Sequence, residues 1–366
     1  MKIAIIGDTH LGYSRFYEDS ISQAKAAFKD ANEKADVILF LGDLYDSRVP
    51  TLQVMGEAAS IFRKMGKKVY AIHGNHERRS RGALNPVEFL EKAGLITHLH
   101  MEGETFEKGG EKIFVAGMGN VPDDLAGKAM EKMKESVSPP EGIPSFLLTH
   151  QSFSEYVYGE GLPSIHDLEP LGYSTYLNGH IHAHKEGMEG RFLVPGSTVL
   201  TQLTKEETKP KGYILYDTKG NSREFVQIPS RKFVYEELHF EEAEPDCVSR
   251  AVMEKASGLR VESQDAIIKF SLKGSLAQGF RGSDLALPSF PNLYIDNGLN
   301  PIALKKEMER IRELRNREVS VQELSEQRLR ERLAGKVSLF DPQGLFEHLL
   351  EGPGAGREYL KRQAPK

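Results

Sequence analysis

Ile3-Ala4-Ile5-Ile6-Gly7-Asp8-Thr9-His10 opens the chain with a short apolar run that ends in a glycine, a carboxylate and an imidazole. Four apolar, largely β-branched residues have the length of a buried strand and are too few for a helix. The arrangement returns in Val37-Ile38-Leu39-Phe40-Leu41-Gly42-Asp43 and in Val69-Tyr70-Ala71-Ile72-His73-Gly74-Asn75-His76. Helical patterns over about 17–34 and 52–65 separate the three runs. The order βαβαβ predicts parallel strands joined by crossover helices. After residue 100 strands dominate, at 104–107, 112–117, 145–149, 174–178, 191–194, 212–217 and 223–228, with one helix at about 123–137. So many clustered strands fit two sheets packed face to face with helices outside.

Composition narrows the class. The 366 residues are 39% hydrophobic and 28% charged, ordinary for a globular protein large enough for more than one domain. No apolar run approaches the roughly 18–20 residues of a membrane span, so no membrane association is expected. The opening run is broken too early by Asp8 to read as a secretion signal. The single Cys247 fits a reducing compartment and a cytoplasmic location. A net charge of −5 excludes a globally basic nucleic-acid binder and leaves room only for a local basic patch.

Beyond Arg231 the pattern changes to strand 233–240, helix 246–257, strand 265–272, a Gly/Ser/Pro-rich stretch over 274–291 and a strand at 293–296. This reads as a small α+β domain. Residues 301–366 carry 14 basic and 11 acidic side chains and two helical stripes, Leu304/Met308/Ile311/Arg315 and Val321/Leu324/Leu333. Near the end, Leu345, Phe346, Leu349 and Leu350 give a short helix one apolar face, which either folds back on the second domain or docks another protein. The expected division is 1–230, 231–300 and 301–366.

Five segments carry chemistry: Gly7-Asp8-Thr9-His10, Leu41-Gly42-Asp43, Gly74-Asn75-His76-Glu77, Thr149-His150 and Asn178-Gly179-His180-Ile181-His182. Each follows a predicted strand, where open α/β folds place their ligand sites. Singly, each is an ordinary turn or cap. Together they would bury several Asp and His side chains at a cost that only a cation offsets. Asp8 and His10, two apart on an extended segment, would aim a carboxylate oxygen and an imidazole nitrogen to one side, as would His180 and His182. Asp43 offers a carboxylate able to bridge two ions, Asn75 a neutral oxygen and His150 another imidazole. This nitrogen and oxygen set suits Mn, Fe or Zn better than a thiolate-seeking metal. Two ions roughly 3.5–4 Å apart can clamp a phosphate and activate water at neutral pH. His76, beside a ligand but across its turn, is free to donate a proton.

In order and spacing the five segments resemble the calcineurin-like metallophosphoesterase superfamily. The resemblance implies an αββα sandwich, one metal held by Asp8, His10, Asp43 and His182, a second held by Asp43, Asn75, His150 and His180, and His76 as the catalytic histidine. Gly42-Asp43-Leu44-Tyr45-Asp46, Gly74-Asn75-His76-Glu77-Arg78 with Arg81-Gly82, Tyr176 through His182, Val194-Pro195-Gly196-Ser197-Thr198 and Lys211-Gly212-Tyr213 are similar to double-strand-break repair nucleases of the SbcD and Mre-eleven type. That likeness implies two Mn²⁺ ions, 3′-5′ exonuclease and single-strand endonuclease action on DNA ends, a capping domain, homodimerisation, and C-terminal helices that bind an SMC-like coiled-coil ABC ATPase near the nucleoid. Asp46 stands where some members carry His, which bears on the exonuclease to endonuclease balance. Glu77 stands where many have Asp, and its expected role is to orient a ligand.

The cluster Arg78-Arg79-Ser80-Arg81 follows the catalytic turn and is a candidate for the DNA backbone, as are Tyr13 and Arg15. His73 and His184 flank two of the segments and are candidates for supporting roles. His98, His100, His166, His239 and His348 sit in no motif and read as structural. Two rival functions remain: another two-metal phosphoesterase acting on a nucleotide, a phosphoprotein or a cell-wall precursor, and a non-catalytic scaffold for the ATPase.

Overall fold

The computed structural model describes residues 1–78, 82–302 and 341–363. The first sheet is built from β1 (Lys2–Ile6), β2 (Val37–Phe40), β3 (Lys68–Ala71), β4 (Thr97–His98), β11 (Gly212–Asp217) and β12 (Ser222–Gln227), in the order β12-β11-β1-β2-β3-β4. Its β1 to β4 run parallel, while β11 and β12 pair antiparallel. The second sheet has the order β5-β6-β7-β8-β10-β9, from β5 (Glu102–Lys108), β6 (Glu111–Met118), β7 (Ser145–Thr149), β8 (Thr175–Asn178), β9 (Lys185–Gly187) and β10 (Phe192–Val194). The parallel centre of each sheet is buried on both faces, which is why β2 reads as an unbroken apolar run.

Strand alternation sorts the apolar residues into three layers. Ala4, Ile6, Ile38 and Phe40 face outward onto α1 (Tyr17–Lys34) and α2 (Leu52–Arg63), meeting Phe28, Ile61 and Phe62. Ile3, Ile5, Leu39 and Tyr70 face the other way and meet Val115, Phe146, Leu148 and Leu177 of the second sheet. Phe114, Leu147, Tyr176 and Phe192 leave the far face of that sheet and pack on Met130 and Met133 of α4 (Ala126–Ser136) and on Leu168. The architecture is the expected four-layer αββα sandwich.

Among the described strands and α-helices, four are not expected from the sequence patterns: the two-residue β4, α3 (Pro86–Lys92), β9 and the last helix of the chain. Helix α3 is short, but its start was legible: Asn85 accepts from Val87 and Glu88 N–H while Glu88 answers to the Asn85 N–H, and Pro86 needs no donor there. Strand β9 has only three residues, none fully buried, so no pattern marks it.

By its contacts the chain divides into two compact units, one of Met1–Glu236 with Ala256–Phe270 and Phe290–Tyr294, the other of Glu237–Lys255, Ser271–Ser289 and the described residues from Ile295 on. The later elements are β13 (Phe233–Ala243), α5 (Pro245–Glu262), β14 (Ile267–Leu276) and β15 (Leu293–Pro301), the strands forming a sheet in the order β13-β14-β15. The stripes over 304–333 lie outside the described residues. The apolar-faced C-terminal helix is α6 (Pro342–Glu351), and its partner is α7 (Pro353–Gln363), which was not foreseen. Gly356 lets α7 close on Leu349, and the His348 and Tyr359 rings stack 4.8 Å apart. Among the described residues no helix is long and apolar enough to cross a membrane.

Phe146 is fully buried between the sheets, its ring 5.4 Å from that of Tyr216. Phe146→Ala is expected to cost about 3–5 kcal/mol, read as a lowered denaturant midpoint. A loss below about 1 kcal/mol would mean the sheets re-close over the gap.

Candidate metal centre

The sandwich brings the carboxyl ends of β1, β2 and β3 against those of β7 and β8. The loops that follow are tied to each other by backbone: Asp8 N–H donates to the Gly42 carbonyl, His10 N–H to the Asp43 carbonyl, and Gly179 N–H to the Thr149 carbonyl. Two glycines mark close approaches of these loops. A Cβ on Gly179 would run into the Leu41 carbonyl oxygen across the sheets, and one on Gly74 into Asp43 Oδ1 of the neighbouring loop on the same sheet.

All seven predicted ligand residues meet here. Ligand atoms of Asp8, His10 and His182 lie within 4.8 Å of one another, as do those of Asp43, His150 and His180. Asn75 Oδ1 sits 3.1 Å from His150 Nε2 and 2.9 Å from His180 Nδ1. Asp43 Oδ2 looks both ways, 3.3 Å from His150 Nε2 and 3.9 Å from His10 Nε2. The route to this convergence differs from the expected one. Asp8, His10, Asp43 and His180 have φ of 52°, 44°, 50° and 70°, so Asp8 and His10 converge through left-handed turns and not through strand alternation, while His180 and His182 divide between the two ligand groups instead of sharing a side. Each such residue stores about 1–3 kcal/mol of strain, which the surrounding packing must hold.

Three imidazoles are anchored by one nitrogen and offer the other. His150 donates from Nδ1 to the Leu41 carbonyl at 2.6 Å, His180 pairs Nε2 with Ser152 Oγ at 3.1 Å, and His182 pairs Nδ1 with Thr201 Oγ1 at 2.5 Å. Ser152 and Thr201 carry no motif, and Leu41 stands in one only as the apolar residue before Gly42-Asp43; the roles of all three arise only from proximity in the folded chain. Glu77, fully buried, accepts from the N–H groups of Asp43, Gly74 and Tyr45 and so ties two ligand loops together. His76 is about one-third exposed; its Nδ1 donates to the Asp46 carbonyl at 2.7 Å, leaving Nε2 free.

The electrostatics suit a cation. Burial, reinforced by the charge of Asp43, holds the Asp8 carboxyl well above its usual range. Burial also opposes ionisation of Asp43, but the His150 charge and hydrogen bond outweigh it and hold Asp43 low. Burial would lower His150, yet Asp43 and Asp8 lift it to about 9. Burial and the His150 charge drop His180 to about 4, and burial with His10 holds His182 well below its usual value. Glu77 rises to about 7 through burial and the neighbouring Asp43. Asp8 Oδ2 and His10 Nδ1 are buried without a hydrogen-bond partner. A donor set of two crowded carboxylates, four imidazoles and an amide oxygen fits divalent cations, which would take the place of the His150 proton and relieve the crowding of Asp8 and Asp43.

The remaining candidates are placed as follows. Arg78 is half-buried and donates to Asn120 Oδ1 at 2.9 Å, while Asn120 Nδ2 donates to the His150 carbonyl. Arg79 and Arg81 lie outside the described residues. The Tyr13 hydroxyl donates to the Thr201 carbonyl, and Arg15 is exposed with its guanidinium 5.8 Å from the centre of the Tyr294 ring. His73 Nδ1 is 3.0 Å from His98 Nε2, and its ring lies 4.8 Å from that of His100. His184 bonds the Val194 carbonyl.

Residues 1–184 match the calcineurin-like phosphoesterase family. The chain is similar to the DNA double-strand break repair protein Mre11 of Methanocaldococcus jannaschii, 27% identical over 259 residues that cover 64% of this chain and 68% of that one. It is similar to Mre11 of Archaeoglobus fulgidus at 29% identity over 313 residues, 73% of this chain and 69% of that one. Exonuclease subunit 1 of Enterobacteria phage T4 is 24% identical over 254 residues, 66% and 71% of the two chains.

Because His150 holds a proton up to about pH 9 and must lose it to bind a cation, loading should release protons. Mn²⁺ affinity measured by calorimetry is expected to rise roughly tenfold per pH unit for each proton released between pH 6 and 8.5. An affinity flat across that window would contradict the ligand set.

Proposed function

The chain belongs to the calcineurin-like phosphoesterase family, and from that premise we propose that it is a dinuclear-metal DNA nuclease that processes broken DNA ends. The observation that carries the reading is Asp43, whose carboxylate faces the Asp8/His10/His182 group on one side and the His150/His180/Asn75 group on the other. This arrangement supports two ion sites, with Asp43 as the residue they would share. Two divalent ions, assigned as Mn²⁺, would supply Lewis acidity toward water and neutralise phosphate charge.

The protein's own residues do the rest. His76, oriented by the Asp46 carbonyl, holds its free Nε2 at the exposed edge of the cluster, where it can give a proton or hydrogen bond to a phosphate oxygen. Asn75 completes the second site with a neutral oxygen, so that site gains a ligand without gaining charge. Arg78, held by Asn120, contributes positive charge beside the catalytic turn, and the DNA strand would pass along it. The side chain of Asp46 lies 3.7 Å from His76 Nδ1 and 3.5 Å from His10 Nδ1. A carboxylate there repels a phosphate backbone, which bears on the balance between 3′-5′ exonucleolytic and endonucleolytic cutting.

The relatives named Mre11 support DNA as substrate and a repair complex as the setting. We assign residues 231–300 to a capping domain and 301–366 to the partner surface for an SMC-like ATPase. Exposed Leu349 and Leu360 on the α6/α7 hairpin support the second assignment, and exposed Val49, Leu52 and Phe89, at and near the starts of α2 and α3, support a homodimer.

The test is cleavage of end-labelled duplex, hairpin and single-stranded DNA with Mn²⁺ or Mg²⁺, beside His76→Ala. The expected outcome is Mn²⁺-dependent cutting that falls at least about 100-fold in the variant while metal stoichiometry is kept. Intact DNA with cleavage of bis-p-nitrophenyl phosphate would keep the phosphodiesterase and reject DNA as its substrate. Loss of neither activity in His76→Ala would remove His76 from the mechanism.

A further inference from the structure

His182 is held from two directions by one group made of half-buried Thr201 and the buried Ser197, Glu207 and Lys211. Its Nδ1 lies 2.5 Å from Thr201 Oγ1, Thr201 Oγ1 lies 3.3 Å from Glu207 Oε1, and Glu207 Oε2 takes a hydrogen bond from Lys211 Nζ at 2.5 Å. Lys211 Nζ also donates to Ser197 Oγ at 2.9 Å, and the Ser197 N–H donates to the His182 carbonyl at 3.0 Å. Glu207, Lys211 and Ser197 are buried. They come from three separate places: the turn after β10, the 3₁₀ turn Lys205–Thr208 and the approach to β11.

The proton count along this chain has one self-consistent solution. Thr201 has a single hydroxyl proton to give. Given to His182, it would leave two oxygens, Thr201 Oγ1 and Glu207 Oε1, facing each other with no proton between them, and would force the imidazole proton onto Nε2. Given to Glu207, it lets every donor point one way, from His182 Nδ1–H to Thr201, and from Thr201 O–H to a carboxylate whose other oxygen is held by Lys211. His182 Nε2 then keeps its lone pair. That atom faces the ligand group, 3.2 Å from His10 Nε2 and 4.0 Å from Asp8 Oδ1.

We propose that Thr201, Glu207 and Lys211 are positioning residues that fix the His182 tautomer with Nε2 bare, and so set the divalent-metal affinity of the Asp8/His10/His182 site. This rests on the metal-centre reading given above. Lys211 serves both arms: it neutralises the carboxylate that ends the hydrogen-bond chain, and through Ser197 it fixes the backbone from which the imidazole projects. Partners of this kind are worth about 10–100-fold in metal affinity where a histidine ligand depends on them.

The test uses the full chain stripped of metal, with Mn²⁺ as the probe, followed by calorimetry and by the electron paramagnetic resonance of free Mn²⁺. Thr201→Val keeps the shape and removes the hydroxyl. It is expected to weaken one of two Mn²⁺ sites by about 10–100-fold, leave the other unchanged, and move the ¹⁵N signature of His182 in the metal-free protein away from the Nδ1–H form. Thr201→Ser should restore both readouts, and Glu207→Gln, which keeps an oxygen but loses the charge, should fall between. Unchanged affinity and tautomer in Thr201→Val, with one site lost in His182→Ala, would overturn the proposal while leaving the metal centre intact. Unchanged Mn²⁺ binding in His182→Ala would overturn the metal-centre reading and this proposal with it.

Discussion

Asp43 carries its carboxylate into a place where water cannot screen it, and the surrounding structure is arranged to make that tolerable. His150 Nε2 reaches it at 3.3 Å, His10 Nε2 stands at 3.9 Å, and the His76 N–H donates to Oδ1 at 3.0 Å. An isolated carboxylate buried to this degree would take up a proton; one surrounded by imidazoles keeps its charge, provided the whole cluster is balanced. Protons do this imperfectly. They push the Asp8 carboxyl toward its neutral form and hold His150 charged within one small volume. Divalent cations would let all seven side chains serve as ligands in their natural states.

That requirement explains the sandwich. The seven ligands are divided between the sheets: Asp8, His10, Asp43 and Asn75 follow strands of the first, and His150, His180 and His182 follow strands of the second. Two sheets packed face to face bring the ends of β1, β2 and β3 opposite those of β7 and β8. The inter-sheet layer of Ile5, Leu39, Phe146 and Leu148 sets the distance between them. The site is then closed by hydrogen bonds that cross the gap, above all His150 Nδ1 to the Leu41 carbonyl and His180 N–H to Asp8 Oδ1. Glycine at 74 and 179 is required because nothing larger fits where those loops touch. Left-handed Asp8, His10, Asp43 and His180 are the strained part of the arrangement, and they gather at the site, as strain does where geometry is imposed by function.

Around the ligands lies a layer of ordinary-looking residues. Glu77 gathers three backbone N–H groups from two loops, Ser152 anchors His180, and Thr201 anchors His182. Each leaves one imidazole nitrogen aimed inward, so the ligand set is organised before any ion arrives. His10 is the exception, since its Nδ1 is buried without a hydrogen-bond partner. Lys211 was visible in the sequence only as part of a longer likeness, and its buried contacts with Glu207 and Ser197 give it a place.

What the amino-acid order determined by itself was the set of strands and the residues that follow them. The runs Ile3 to Ile6, Val37 to Leu41 and Val69 to Ile72 form β1, β2 and β3 over all or most of their length because they are short, apolar and β-branched and end in glycine and polar groups. Local chemistry is enough to say so. The ligand types were legible for the same reason, since Asp, His and Asn repeatedly stand at the ends of those runs. Helix α3 was also readable at Asn85-Pro86-Val87-Glu88, where a capping box announces it. The tertiary structure decided the rest: which nitrogen of each histidine faces inward, that Asp8 and His10 converge through left-handed turns while His180 and His182 part to different groups, and that Thr201, Ser152 and the Leu41 carbonyl hold the rings. Those contacts join residues such as Leu41 and His150, 109 positions apart in the chain. Periodicity and local propensity act over a few residues, so contacts of that span exist only once the two sheets have packed.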